Sequence, residues 1–494
     1  MKILFIYSLQ KSVTSDKPLP GQEGIQFGIS YISSVLKQNG HSTELVIIDR
    51  KFKSKNNNAI KYYIESFNPG LICFTSVHSE FEFITDTAKQ IKKLFPDIPF
   101  MLGGVHITLN PSEELLDIFN CICIGEGEYP VLEYVNCLEK NKSANGIPNL
   151  WLKESGKVFK NPVRDFIEKL DTLPFPDRDI WQKWILETHT KLTVLLGRGC
   201  PYNCTYCSNH MLRKIARGEY VRLRSPENIL LEIESLYEKF PAINEYFLEV
   251  ETIGCDMEWL EELCKKLHKF NYSKSGKLKF NTNLRVFPNM DFEAVFQNLI
   301  LAGFDSVTLG LESGNERIRS EVLNRVYSNE TILKAVEVAR KYGIKIGIFN
   351  MVGLPGETRE DFEDTIMMNR KIQPDWHSTS IFFPYQGTRL YELTKEMNLL
   401  PQKLNTRDER QKAVLDLPGF SRREIQRSFD SFHYDVYEAN GNRKTSKLFV
   451  YFLMKYIGHN RFANLKLTLL RVLYFLKLYR FAKKAKLFGV FQNS

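Results

Sequence analysis

The sequence has no stretch approaching the roughly 18 uninterrupted apolar residues that a membrane-spanning helix needs, so no transmembrane span is expected. The N-terminal MKILFIYSLQ carries a short apolar run, but no small-residue cleavage site follows it. It reads as a buried first strand and not as a secretion signal, which makes the cytoplasm the expected compartment. The nine cysteines are an odd number in a 494-residue chain without such a signal. A disulfide framework is thereby disfavoured in favour of reduced thiols, some of them candidate metal ligands. No internal repeat is visible. With 43% hydrophobic and 25% charged residues, whole-chain disorder and low-complexity classes are excluded. At roughly 100–200 residues per domain, the length accommodates two to four domains.

Acidic residues are missing from one region altogether. Ala439 to Ser494 holds twelve Lys and Arg and no Asp or Glu. Of 67 basic residues in the chain, 55 are left elsewhere against 58 acidic ones, so the formal charge of +9 belongs to the tail. There Leu, Phe and Tyr alternate with Lys and Arg. One helix over 465–487 would place Lys466, Lys477, Arg480 and Lys484 on one face. A basic amphipathic helix suits peripheral contact with a membrane surface. The competing reading is a helical subdomain whose apolar stripe packs on the protein with its basic face outward. Nucleic acid is not expected, because no RNA-binding module accompanies the charge.

Within the first ~140 residues, short apolar runs at 2–7, 43–49, 70–75, 99–102 and 121–124 alternate with helix-like segments. Strand–helix alternation with buried strands argues for an α/β fold with a parallel sheet covered on both faces. Loops of polar residues or glycine follow three strands: TSVHS (75–79), GGVH (103–106) and GEGE (125–128). Such sheets bind ligands outside the carboxyl ends of their strands. A Pro-containing connector follows. The alternation then resumes with strands expected at 192–196, 245–250, 277–281, 306–310, 345–351 and 376–382, which suits an incomplete βα barrel of about six units. The expected divisions are 1–145, a linker at 146–185, a barrel at 186–395 and a mainly helical, basic region at 396–494.

The most informative segment is GRGCPYNCTYC, which places Cys200, Cys204 and Cys207 as C-x-x-x-C-x-x-C after the first barrel strand. At this cysteine frequency such a triple is expected by chance only about 0.003 times per chain. Three thiolates in one short loop can hold three corners of a 4Fe-4S cluster and leave the fourth iron open to a ligand. A zinc site is the alternative, with His210 as a fourth ligand.

This motif on the first strand of a partial barrel, with the aromatic Tyr206 before the third cysteine, resembles the radical S-adenosylmethionine superfamily. The resemblance implies that the open iron chelates S-adenosylmethionine, whose reductive cleavage gives a 5′-deoxyadenosyl radical. TLGLESG (308–314) resembles the family's fourth-strand segment, and it implies Glu312 and Ser313 as S-adenosylmethionine contacts. The same residues also read as a helix start, with Ser313 capping and Glu316 its partner. GIFNMVGLPGET (347–358) resembles the fifth-strand segment, whose glycines would let adenine approach the backbone. Asn281, Asn283 and Arg285 at the end of the third strand, and Arg325 after the fourth, are further candidates. The second-strand segment, FLEVETIGCD (247–256), departs from the family's usual glycine or acidic pair, with Glu251 a substitute acidic member.

GGVH, GEGE, LPFPDRD (173–179) and RSPENIL (224–230) narrow the resemblance to the cobalamin (B12)-binding-domain subgroup, over roughly residues 1–390. The resemblance implies a Rossmann-like domain in which Ser76, Gly103, Gly104, Gly125 and Glu126 accommodate cobalamin. The D-x-H-x-x-G motif of classical cobalamin domains is missing, so no histidine from the first loop is expected on cobalt. Cys73, Cys121 and Cys123 lie in apolar strand contexts and read as core residues, with a second cluster the alternative. The implied activity is methylation of an unactivated carbon, one S-adenosylmethionine methylating cobalamin and a second generating the radical. The alternatives are radical rearrangement, cyclisation or oxidation without methyl transfer, and a non-catalytic cluster- or cobalamin-binding protein. The implied partners are a low-potential electron donor such as a flavodoxin or ferredoxin, and a small-molecule or lipid substrate.

Overall fold

The computed structural model describes residues 1–438 except Lys11, Ser15, His189, Arg407 and Asp408. The basic segment expected to form an amphipathic helix therefore lies outside the described residues. Among the described residues, no helix is long and apolar enough to cross a membrane. The chain divides into two compact units. The first comprises Met1–Tyr202 and Ser208–Ile243, and the second comprises Asn203–Cys207 and the described residues from Asn244 on.

The first unit is built on seven strands: β1 (Lys2–Leu9), β2 (Ser42–Asp49), β3 (Leu71–Thr75), β4 (Phe100–Gly103), β5 (Cys121–Cys123), β6 (Leu150–Glu154) and β7 (Lys157–Lys160). Their order is β2-β1-β3-β4-β5-β6-β7. The first five run parallel, and β6 and β7 add antiparallel. Helices α1 (Phe27–Gln38), α2 (Lys53–Phe67), α3 (Phe81–Leu94), α4 (Val105–Leu109) and α5 (Glu128–Glu139) follow the parallel strands. Side chains alternate across a strand, so each apolar run supplies two cores. Ile3, Phe5, Leu45, Ile47 and Leu71 pack with Ile29 and Leu36 of α1 and Val131 and Val135 of α5. Leu4, Ile6, Val46, Ile48 and Ile72 pack with Ile60 and Ile64 of α2 and Ile84 and Ile91 of α3. This two-sided burial is why the strands read as unbroken apolar runs. The segment 146–185 had been expected as a connector, yet it contributes β6 and β7. Leu150 and Leu152 are buried in the first core while Lys153 and Lys157 face water.

Two of the short motifs have a structural role here. Arg178 of LPFPDRD and Arg224 of RSPENIL hold the two oxygens of Glu232 at 2.9 and 2.5 Å. Glu232 lies on α8 (Pro226–Lys239), which follows the short helices α6 (Asp179–Gln182) and α7 (Asn209–Leu212). Ser225 caps α8 by accepting from the Asn228 N–H, with Pro226 in the first turn. The three charged side chains are at most 4% exposed. Removing one member of a buried ion cluster leaves the others uncompensated. Glu232→Ala is therefore expected to cost roughly 3–5 kcal/mol, seen as a lowered denaturant midpoint. A shift equivalent to less than about 1 kcal/mol, the range of surface pairs, would refute this role.

Beyond β7, strand–helix units succeed one another six times: β8 (Leu192–Leu195) with α8, then five more. A small antiparallel pair, β9 (Gly197–Arg198) and β10 (Arg222–Leu223), interrupts the first. The second unit holds β11 (Glu245–Glu249), β12 (Lys279–Leu284), β13 (Phe304–Glu312), β14 (Lys345–Val352) and β15 (Trp376–Ile381), side by side in sequence order and all parallel. They alternate with α9 (Met257–Ser273), α10 (Phe292–Ala302), α11 (Asn329–Lys341), α12 (Arg359–Ile372) and α13 (Arg389–Glu396), and α14 (Arg422–Glu438) completes the unit. A partial (β/α)6 arrangement is the result. Val307, Leu309, Ile346 and Ile348 on the outer face are at most 1% exposed, whereas Phe349 on the inner face is 39% exposed. The inner face is thus available for chemistry.

Candidate functional site

Of the three loop cysteines, Cys200 and Cys204 are buried and Cys207 is half-buried. In the first unit, the Cys200 carbonyl accepts from the Arg213 guanidinium. In the second, Cys204 and Cys207 close a turn in which the Cys207 N–H donates to the Cys204 carbonyl at 3.2 Å. Arg285 Nη1 lies 2.7 Å and Arg325 Nη1 3.8 Å from Cys204 Sγ. Both guanidinium groups are thus placed as donors to that sulfur. Among the described residues no three His, Cys, Asp or Glu side chains converge at the spacing of a single metal ion. The donor set is three soft sulfurs in eight residues, which fits an iron–sulfur cluster with an open iron.

Beside Cys204 stands a buried polar constellation. The Tyr206 hydroxyl donates to Glu312 Oε1 at 3.1 Å, and Arg325 lies 3.8 Å from the same oxygen. Arg325 Nη2 donates to the Gly310 carbonyl at 2.5 Å, and the Tyr327 hydroxyl donates there too, at 2.8 Å. Burial, then the Glu312 carboxylate, pushes the Tyr206 phenol far above its usual range, so it stays a donor. Burial works against the charge on Arg325, but Tyr327, Tyr206, Glu312 and Cys204 outweigh it. Glu312 has φ +64°, a left-handed conformation that non-glycine residues rarely adopt, at a register shift between Gly310 and Glu312. Such strain concentrates at functional sites.

A helical turn does begin at Glu316, but its cap is Asn315, whose Oδ1 accepts from the Ile318 N–H at 3.1 Å, and not Ser313. Ser313 Oγ accepts from the Asn315 N–H at 3.2 Å, while Glu316 Oε1 accepts from the Asn329 N–H at 2.6 Å. Ser313 itself is fully buried. Asn281, Asn283 and Arg285 follow one another at every second position along and just beyond β12, which puts them on one face. Glu251 differs from expectation: it is exposed beyond β11, and its neighbour Thr252 makes the tether, accepting from the Arg285 N–H at 2.9 Å. Of the glycines in 347–358, Gly356 has open space beside it, whereas Gly347 does not. A Cβ there would meet the Trp376 indole at 2.3 Å, so that space is filled from β15.

In the first unit, a cavity partly open to solvent lies at the carboxyl ends of the strands. Phe5, Phe27, Cys73, Gly103, Gly104 and Gly125 are among its walls. The two paired glycines have different roles. Gly104 has φ +105°, and a Cβ there would lie 2.6 Å from the Ser76 carbonyl oxygen, so this glycine serves the packing of its own loop. A Cβ at Gly103 would meet only Cys123, at 3.8 Å, so Gly103 leaves the cavity open. Ser76 is 2% exposed and its Oγ has no hydrogen-bond partner. Val77 and Val105, which follow β3 and β4, are exposed. Buried polar groups are ordinarily bonded, so an orphan hydroxyl near an apolar, glycine-walled cavity fits a large, mainly apolar ligand with a hydrogen-bonding tail. The residues present therefore fit cobalamin. Glu126 lines the cavity but is engaged elsewhere. Arg198, Arg222 and the Ile167 N–H hold its oxygens at 2.7 to 3.1 Å. Burial opposes its charge, but the arginines keep the carboxyl below its usual range. Arg198 also holds Glu128 at 2.5 Å. Cys73, Cys121 and Cys123 are buried in strands, and burial raises all three thiols, Cys123 to about 12.

Two family models match the chain: the radical SAM superfamily over residues 194–368 and the B12 binding domain over residues 20–135. An uncharacterized methyltransferase of Pyrococcus horikoshii, PH0819, is 28% identical over 408 residues, covering 81% of this chain and 84% of the relative. The anaerobic magnesium-protoporphyrin IX monomethyl ester cyclase of Rubrivivax gelatinosus is 25% identical over 376 residues, 74% of this chain and 65% of the relative. The fold is also that of the cobalamin-dependent S-adenosylmethionine radical enzyme OxsB, solved with aqua-cobalamin and S-adenosylmethionine bound. That structure superposes with a TM-score of 0.69 over 92% of this chain and 72% of OxsB, at 17% identity. With both models on one chain, the cysteine loop in the first and the glycine-walled cavity in the second, this protein belongs to the radical SAM enzymes that carry a B12-binding domain.

Proposed function

We propose that the protein is a cobalamin-dependent radical S-adenosylmethionine methyltransferase acting on an unactivated carbon. The observation that carries this reading is one chain with both a three-thiol loop, whose Cys204 stands beside a buried Glu312–Arg325–Tyr206 constellation, and a cavity at the carboxyl ends of a B12-binding sheet. When bound, the cluster supplies an electron to S-adenosylmethionine and cobalamin supplies a methyl carrier. Cys200, Cys204 and Cys207 hold the cluster. Arg325 and Arg285 are cations suited to the methionine carboxylate, and Glu312 is an acceptor suited to the amine or ribose. Ser313, Tyr206 and Asn281 complete that surround in this reading, and Glu251 stands at its edge. Ser76, Gly103 and Gly125 receive cobalamin, with Gly104 shaping the loop and Glu126 bracing it.

A reductant is needed by such enzymes in general; a flavodoxin or ferredoxin is the donor we propose. The substrate class proposed is a small molecule or lipid, handled in the cytoplasm, with peripheral membrane contact through the basic tail. Anaerobic reconstitution with cobalamin followed by product analysis tests the reading. S-adenosylhomocysteine together with 5′-deoxyadenosine is the expected outcome. The relative named as a cyclase favours a second reading, radical cyclisation without methyl transfer, for which 5′-deoxyadenosine appears alone. Neither product would leave only a binding protein.

A further inference from the structure

We propose that Arg319, with the single π-helical turn Ile318–Val322 that contains it, is the positioning element that registers the cysteine loop against the S-adenosylmethionine-binding side chains. The inference rests on Glu312, Ser313 and Arg325 being those side chains. Arg319 is fully buried, an uncommon place for a guanidinium. Its nearest carboxylate oxygen, on Glu316, is 3.9 Å away. Its donors go instead to two backbone carbonyls, Ser313 at 2.7 Å and Tyr327 at 3.1 Å, and its guanidinium stacks 4.7 Å from the Tyr327 ring centre. One side chain thus ties the segment that ends in Glu312–Ser313 to the one that carries Arg325–Tyr327. Its own carbonyl accepts from the Arg325 N–H at 2.7 Å, which fixes the second segment again. An apolar side chain would fill this space without the desolvation cost of a buried charge, so directional bonds are the function of the guanidinium.

The other end of the turn holds the cysteine loop. The Leu323 N–H donates to the Ile318 carbonyl at 3.0 Å, the wide spacing of a π turn. At its end the Val322 carbonyl accepts from the Thr205 hydroxyl at 2.5 Å and the Leu323 carbonyl from the Thr205 N–H at 3.2 Å. Asn324 Nδ2 donates to the Asn203 carbonyl at 2.9 Å. Thr205 sits between Cys204 and Cys207, so a five-residue turn bonds to the cluster loop on one side and to the ligand-binding segments on the other. π turns recur at functional sites for this kind of re-aiming.

Arg319→Met and Arg319→Lys in the reconstituted full-length protein test the proposal. Arg319→Met is expected to load iron as the parent does, to bind S-adenosylmethionine at least tenfold more weakly by anaerobic equilibrium dialysis, and to lose the change that S-adenosylmethionine makes in the reduced cluster's electron paramagnetic resonance spectrum. Arg319→Lys keeps a single donor and should restore part of both. Thr205→Val, which removes the hydroxyl bond to Val322 while keeping the side-chain shape, should show the same two losses and serves if Arg319→Met does not fold. Glu312→Gln is the control for the site itself. Weak binding in Glu312→Gln with parental affinity and spectrum in Arg319→Met, or in Thr205→Val where it stands in, overturns the positioning role alone. Parental affinity in Glu312→Gln overturns the site assignment beneath it.

Discussion

Replacing Cys200, Cys204 and Cys207 together by alanine is expected to take iron from about four per chain to none after anaerobic reconstitution. The charge-transfer absorbance and all S-adenosylmethionine cleavage should go with it. The fold should survive, because the three lie in one short loop between β9 and α7, outside the strands and helices that carry the cores. Circular dichroism and the thermal midpoint should stay close to the parent's, which separates loss of ligation from loss of structure. Each thiol contributes one corner, so any single replacement should lower iron retention markedly. Stoichiometric zinc in the parent with no uptake of iron would overturn the cluster assignment and restore the zinc alternative.

Gly103→Trp should abolish cobalamin binding, with affinity reduced by more than about a hundredfold, or some 3 kcal/mol at 1.4 kcal/mol per decade. Gly103 is the useful position because its backbone is unstrained and an added side chain meets only Cys123 before it enters the cavity. Iron content should be unchanged, since the cysteine loop is untouched. Gly104 is the wrong place for this test. With φ +105° and the Ser76 backbone 2.6 Å from a new Cβ, even Gly104→Ala should lower the midpoint, by roughly 1–3 kcal/mol of strain. A parent protein that takes up no cobalamin in anaerobic titration would remove the methyl-transfer reading and leave radical chemistry without it. If Gly103→Trp binds cobalamin as the parent does, the ligand lies elsewhere than this cavity.

The sequence by itself determined the alternation of strands and helices and the chemistry of the cluster loop. The strands are legible because parallel strands covered on both sides must be apolar at every position, as Leu45–Ile48 and Leu71–Phe74 are. The cysteine triple is legible because its three ligands are local, within eight residues. What the sequence could not decide is which side chains are already committed to one another. Glu126 looks available in GEGE, but Arg198 and Arg222, some 70 to 100 positions later, occupy it. Glu251 carries the acidic character expected after β11, but Thr252 beside it makes the contact to Arg285. Gly103 and Gly104 are one dipeptide in sequence, yet only the first leaves room for a ligand, because the Ser76 backbone from another strand end fills the space at the second. Arg319 carried no signal at all: nothing in the pattern of charges distinguishes a solvated arginine from one buried between Ser313 and Tyr327. Local periodicity and ligand spacing are properties of the chain, whereas hydrogen-bond commitment and steric room depend on residues brought together by the fold, and only the tertiary structure decides those.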